Sequence, residues 1–338
     1  MEVSMSRRKS KKAGNNGNIV ALVVAIAATA LVFFILSGKI NPFVSQITTT
    51  VKNYSSSAVA AQNAAAQTGS KTQSGAPNGS STAAKSGDLT VSFIDVGQGD
   101  SILLARGGHG MLIDAGTEQS AGTVVNTIKA QKLSALDFCI GTHPHEDHIG
   151  GMDSVINAFH VGTLIMPNVT TNTKSFSDVL KAVQKKKLKI TRPVPGTTYS
   201  FEGASFTVLA PNSAKYDDLN NYSVVIRLVY GATSFLFTGD AQTASEQEML
   251  AKGYNLKADV LKVGHHGSKT STSAAFLQAV SPKYAVISAG KGNDYGLPAP
   301  STVSRLTKAG IKLFRTDENG MVVAQTDGKT LSFKTNAA

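Results

Sequence analysis

Five of the seven histidines in this chain fall in two short clusters, THPHEDH at residues 142–148 and GHHGS at 264–268. Each follows a short apolar run, LDFCI in one case and VLKV in the other, so the imidazoles ride on loops that leave buried strands. On an extended loop His143 and His145 can point the same way, while Asp147 and His148 come one turn later and can face a second ion. Imidazole and carboxylate are donors that suit zinc, manganese or iron. The Gly150–Gly151 pair then marks a strand-to-helix junction, where loops carry binding and catalytic groups. Cysteine chemistry is excluded as a framework: Cys139 has no partner for a disulfide or a Cys-rich zinc module, and inside LDFCI it reads as core.

Around these clusters the pattern alternates. TVSFID, SILLAR, GMLIDAG and LDFCIGT read as strands, with more expected at 162–166, 205–209, 223–229, 234–238, 258–263, 284–288 and in the closing stretch 312–333. Apolar residues at helical spacing mark helices at 124–133, 151–159, 175–187, 245–252, 273–280 and 301–309. Strand runs at both ends with helices interspersed imply one α/β (α+β) domain over residues 88–338, two sheets covered by helices.

The front of the chain is different. Residues 19–36 are apolar apart from Thr29, and at ~1.5 Å per residue they make about 27 Å of helix, close to a hydrocarbon core. Arg7, Arg8, Lys9, Lys11 and Lys12 precede this run and should stay in the cytoplasm. We therefore expect a basic cytoplasmic N-terminus at 1–18, a single-pass transmembrane signal anchor at 19–37, and a disordered Ser/Ala/Gly-rich linker at 38–87. The folded domain would then lie outside the cytoplasm, at the cell membrane. A cleaved signal peptide is the alternative, although the run is long for one and no small-x-small site directly follows. The net charge of +11 also belongs mostly to this front: residues 1–87 carry nine basic side chains against Glu2. The remaining 24 basic and 21 acidic residues do not support a broad basic nucleic-acid face.

THPHEDHIGG matches the HxHxDH signature of the metallo-β-lactamase fold, and the other motifs carry a narrower likeness. DVGQGDS (95–101), LIDAG (112–116), FLFTGD (235–240) and LKVGHHGS (261–268) resemble, in order, the hydrolase domain of ComEC-type competence proteins. The resemblance implies a four-layer αββα sandwich with two divalent ions, zinc or manganese, at the edge where the sheets meet. It implies His143 and His145 as ligands of the first metal, Asp147 and His148 as ligands of the second, and Asp240 as a carboxylate bridging both. His266 is the implied last ligand of the second metal, with His265 behind it. Asp114 is similar to the buried Asp that fixes the ligand loop, an ordinary strand-end cap being the alternative. Asp147 and Asp240 are the implied catalytic carboxylates.

Two departures stand out. LNNYSVVIRL, before Asp240, lacks the histidine that the wider fold supplies to the first metal, so that site is expected to be weak and completed by Asn220, Asn221 or water. His160 lies too early in the chain to replace it and reads as structural. NDYGLPAP (293–300) stands where the competence branch often has YGHPHP, so Leu297 and Ala299 replace two imidazoles; Tyr295 in this loop is retained as a substrate contact.

Two such ions would lower the pKa of a shared water toward 7 and clamp an anionic substrate, the arrangement for phosphoester hydrolysis, with a metal-bound hydroxide as nucleophile. No GxSxG motif competes. Ser268, Lys269 and Thr270 are placed to hold phosphate oxygens, or alternatively to cap the helix near Ser273. Lys262 alternates with apolar neighbours as an edge residue would and is given no role; His109 reads as a hairpin-turn residue. The expected activity is a membrane-anchored phosphodiesterase or nuclease acting on DNA. Hydrolysis of envelope phosphocholine or teichoic-acid groups and a non-catalytic surface-binding module are the alternatives. No protein partner is inferred.

Overall fold

The computed structural model describes residues 87–336. The expected basic N-terminus, membrane anchor and almost all of the linker lie outside the described residues. Among the described residues no helix is long and apolar enough to cross a membrane.

In chain order the strands are β1 (Leu89–Phe93), β2 (Ser101–Arg106), β3 (His109–Ala115), β4 (Ala135–Ile140), β5 (His160–Ile165), β6 (Ile190–Thr191), β7 (Thr198–Phe201) and β8 (Ala204–Ala210). They continue with β9 (Val225–Tyr230), β10 (Thr233–Phe237), β11 (Val260–Lys262), β12 (Tyr284–Ile287), β13 (Lys312–Arg315), β14 (Val322–Thr326) and β15 (Leu331–Thr335). Two sheets result, one ordered β15-β14-β1-β2-β3-β4-β5-β6 and the other β13-β12-β11-β10-β9-β8-β7.

Side-chain alternation places the layers. Ile102 and Leu104 of β2 and Phe235 and Phe237 of β10 face a shared core between the sheets, whereas Leu103 and Leu236 face the helices outside. Phe93 and Phe237 meet across that core with ring centroids 6.3 Å apart, and Phe138 meets Phe206 edge to face at 5.0 Å. Burying each such ring contributes roughly 1.5–3 kcal/mol. Helices Ala121–Ala130, Met152–Ala158 and Lys174–Lys186 cover the first sheet, and Thr243–Ala251, Ala274–Val280 and Pro300–Lys308 the second. All six correspond to apolar periodicities in the sequence, and the layers are helix, sheet, sheet, helix.

Strands β6 and β7 were not expected. The two residues of β6 are too few to show any period. β7 pairs with β8 through Glu202 and Gly203, both at positive φ (43° and 75°), a primed hairpin turn built without the Asn-Gly or Asp-Gly pair that announces one. The single closing stretch expected at 312–333 is three strands, one in the helix-crossed sheet beside β12 and two at the edge of the other.

Strands β3, β4 and β5 run parallel, as do β10 to β13. In α/β sheets, ligands gather outside the carboxyl ends of parallel strands. The loops after β4, β10 and β11 hold five of the seven histidines and Asp240.

Candidate metal centre

Three loops build the site. After β4 come Thr142, His143 and His145, and the short helix Glu146–Ile149 then turns Asp147 and His148 toward the same point. After β10, Gly239 at φ 49° leads into Asp240; a side chain at Gly239 would press on Thr142. After β11, the turn Gly264–Gly267 holds His265 and His266 at φ 50° and 51°. Left-handed backbone at a non-glycine residue costs of order 1–3 kcal/mol and persists where the surroundings impose it, typically at functional sites. Asp114, at φ 57° in β3, is a third such residue.

The imidazoles are oriented by their outer edges. His148 Nδ1 lies 2.8 Å from Asp114 Oδ2, and His266 Nδ1 lies 2.9 Å from the Ser288 carbonyl oxygen. His143 Nδ1 is 3.1 Å from Thr142 Oγ1, and His265 Nδ1 is 3.1 Å from Thr270 Oγ1. A carbonyl accepts only, so His266 donates from Nδ1 and turns Nε2 toward the cluster. In each ring Nε2 then faces inward: His148 Nε2 is 3.3 Å from Asp240 Oδ1, His266 Nε2 is 3.2 Å from Asp147 Oδ2 and 3.4 Å from Asp240 Oδ2, and His143 Nε2 is 3.9 Å from Asp240 Oδ2. His145 instead presents Nδ1, 3.0 Å from His143 Nε2.

These donors suit a divalent ion. His143, His148 and Asp240 bring ligand atoms within 4.8 Å of one another, as do Asp147, His148 and His266. Asp240 Oδ1 is buried without a hydrogen-bond partner, a costly state for a carboxylate oxygen unless a cation meets it. His143, His148, His266 and Asp240 are buried, whereas Asp147 and His265 keep 30% and 23% of their side chains exposed, so the centre opens to solvent on that side.

Electrostatics agree. Burial alone would neutralise His148, but Asp240, Asp147 and Asp114 outweigh it and raise its pKa well above the usual value. Burial is likewise outweighed at His266, by Asp240, Asp100 and Asp147. Asp240 is held well below the usual carboxylate range, because His148 and His266 overcome the effect of burial. His143 and His265, for which burial dominates, are lowered. The carboxylates thus favour positive charge on the two rings they surround, His148 and His266.

Asp114 accepts from Thr142 N at 2.8 Å and Thr142 Oγ1 at 2.7 Å besides holding His148, so it ties the ligand loop to β3. Asn221 lies against the segment that follows Asp240. Its Oδ1 accepts from the amides of Gln242 (3.2 Å) and Ser245 (3.4 Å), so it braces the segment after Asp240. Ser273, not Ser268 or Thr270, caps the helix Ala274–Val280 through a 3.3 Å bond from Phe276 N. Thr270 holds His265, Ser268 Oγ contacts Thr270 Oγ1 at 3.0 Å, and Lys269 is exposed. Tyr295 is 74% exposed on its loop and is not drawn into the cluster. His160 opens β5 on the surface, and His109 begins β3 against Asp137 at 2.9 Å.

Sequence reasoning missed four residues. Lys262 is not edge-exposed but wholly buried, paired with Asp100 at 2.8 Å. Burial opposes ionisation of Asp100, yet Lys262 and His266 bring its carboxyl down to about 2. Ser223 Oγ takes the Asp240 amide at 3.0 Å and lies 3.4 Å from His143 Nδ1, and Ser288 fixes His266. Asp100 and Lys262 stand inside DVGQGDS and LKVGHHGS, and for Lys262 a lone charge among Val260, Leu261 and Val263 was the available signal.

The sequence model of the metallo-β-lactamase superfamily matches residues 94–291. The chain belongs to the metallo-β-lactamase superfamily. It is 34% identical over 252 residues to ComE operon protein 3 of Bacillus subtilis, covering 69% of this chain and 32% of that protein. It is also 34% identical over 235 residues to competence protein ComA of Neisseria gonorrhoeae, again covering 69% and 32%. The chain thus spans about a third of the length of these curated relatives. Among solved structures, the metallo-β-lactamase fold protein YhfI of Bacillus subtilis aligns at 13% identity and TM-score 0.49, covering 73% of this chain and all of that one. As a metallo-β-lactamase superfamily hydrolase the chain has a fold that implies divalent metal ions, and the His/Asp cluster supplies matching donors.

Proposed function

We propose that this protein is a phosphodiesterase that cleaves DNA with two divalent ions, zinc or manganese, held outside the cytoplasm by an anchor at residues 19–37. The observation that carries the reading is the convergence of five imidazoles and two carboxylates from three loops, with four of the rings held from behind at Nδ1. In this reading His143, His145 and Asp240 hold one ion. Asp147, His148, His266 and Asp240 would hold the other, Asp240 being common to both sets. When bound, such ions supply Lewis acidity and a water of lowered pKa. The protein's own part is to aim the Nε2 edges, to exclude water behind the buried rings, and to leave the Asp147 and His265 side open for substrate. Lys269, exposed three residues after His266, offers an ammonium to an anionic phosphodiester.

The DNA assignment is supported by one relative's name, competence protein ComA, and by a site whose donors suit phosphoester chemistry. The test is hydrolysis of bis-p-nitrophenyl phosphate and single-stranded DNA by the full-length protein with added manganese or zinc. Asp240→Asn should lower both rates by at least about 100-fold. Activity that survives both a chelator and this substitution discards the mechanism. Turnover of phosphocholine esters with none of DNA replaces the substrate.

A further inference from the structure

Beneath the imidazole cluster lies a pair of charges that the proposed hydrolysis does not use. Lys262, the last residue of β11, is completely buried; its Nζ lies 2.8 Å from Asp100 Oδ2 and donates to the Val263 carbonyl at 2.9 Å. Asp100, on the loop between β1 and β2, is 1% exposed. A buried ion pair is weak evidence for stability, because desolvation costs several kcal/mol per ion and apolar replacements are often neutral or better. Its position beside the centre calls for another explanation.

The second oxygen of Asp100 points to one. Oδ1 has no hydrogen-bond partner and lies 3.5 Å from His266 Nδ1, the nitrogen that donates to Ser288. Ser288 and Asp100 therefore flank the same edge of the ring, and Nε2 opposite is aimed at Asp147 and Asp240. The Asp100 amide also donates to the Asp147 carbonyl at 3.1 Å, so the loop that carries it is tied to the ligand helix.

We infer that Asp100 is a positioning residue for His266, and that Lys262 holds its carboxylate in place. The Ser288 carbonyl takes the Nδ1 hydrogen bond, and the carboxylate 3.5 Å from the same nitrogen adds negative charge behind the ring, which favours Nε2 as a donor toward a cation. The ammonium prevents Asp100 from being an isolated buried charge and fixes which oxygen faces the ring. This inference rests on the metal-centre reading and goes beyond it by assigning two residues outside the ligand set.

The test compares full-length wild type with Asp100→Asn, Lys262→Met, the double variant Asp100→Asn/Lys262→Met, and Lys262→Arg. Manganese affinity is read by competition with a chelator, the ligand field from the visible spectrum of the cobalt-loaded protein, and the fold from the melting of metal-free samples. The double variant should melt near metal-free wild type yet bind manganese about 10–100-fold more weakly, with a shifted cobalt spectrum. Lys262→Met alone should melt well below it, because Asp100 is left unpaired. Lys262→Arg should retain most of the affinity. If the double variant does not fold, Asp100→Asn alone should show the weaker binding and altered spectrum. Wild-type affinity and spectrum in the folded variants that carry Asp100→Asn would overturn the inference while leaving the centre intact. A wild type that binds no metal would overturn both.

Discussion

The Nε2 atoms of His148 and His266, 118 residues apart in the chain, lie 3.3 Å from each other. Asp114 and the Ser288 carbonyl already occupy their Nδ1 edges. Two nitrogens facing each other in this way repel unless a cation, proton or metal, stands between or beside them. Asp147 and Asp240 surround that point with negative charge. The fold thus spends backbone strain at His265 and His266 on a place where positive charge is stabilised.

Metal should accordingly stabilise the native state. At an ion concentration about 100 times the dissociation constant, binding contributes roughly 2.7 kcal/mol. For a domain of this size that raises the melting midpoint by about 5–10 °C. Thermal melts with excess manganese and with EDTA measure the difference, and coincident curves would argue against a site.

Asp114→Ala should damage binding and stability together. It strips the acceptor from Thr142 N, Thr142 Oγ1 and His148 Nδ1, all buried. Each orphaned donor costs about 1–3 kcal/mol, and losing the carboxylate behind a ligating histidine weakens metal affinity about 10–100-fold. Calorimetric titration alongside melting would separate the two effects.

Gly99→Ala tests the approach of the β1–β2 loop to the ligand helix. Gly99 has φ 140°, and a Cβ there would overlap the Asp147 carbonyl oxygen. Forced displacement should cost about 1–3 kcal/mol and move Asp147, so both melting temperature and metal affinity should fall. A variant that matches wild type in both would show that this contact is dispensable.

Cys139 should resist alkylation in the native protein. It is fully buried, and burial together with Asp114 pushes its thiol up to about 12, so almost no reactive thiolate exists near pH 8. Iodoacetamide should label it only as the protein unfolds, which makes its labelling rate a readout of global opening. Rapid modification of folded protein would contradict the core placement.

Much of the architecture was legible because it is local. Helix Lys174–Lys186 buries Phe176, Val179, Ala182 and Val183 on one face, a spacing visible in the letters alone. The alternation in SILLAR and FLFTG likewise separates the face toward the other sheet from the face toward the helices. What escaped was of two kinds. β7 depends on a turn at Glu202 whose left-handed backbone no local rule favours. Lys262 obeys the alternation of its strand, but whether that face meets solvent or Asp100 is not a property of the strand.

The amino-acid order alone determined which chemistry this protein could carry: imidazoles and carboxylates crowded into short loops, on a chain with no disulfide and no serine nucleophile motif. Only the folded arrangement decided which edge of each ring faces inward, that Asn221 braces a segment next to Asp240, and that Lys262 lies under the centre. Periodicity and ligand type are set by neighbours a few positions away. Ring orientation, burial and ion pairing depend on groups brought together from distant segments, by packing that no single stretch specifies.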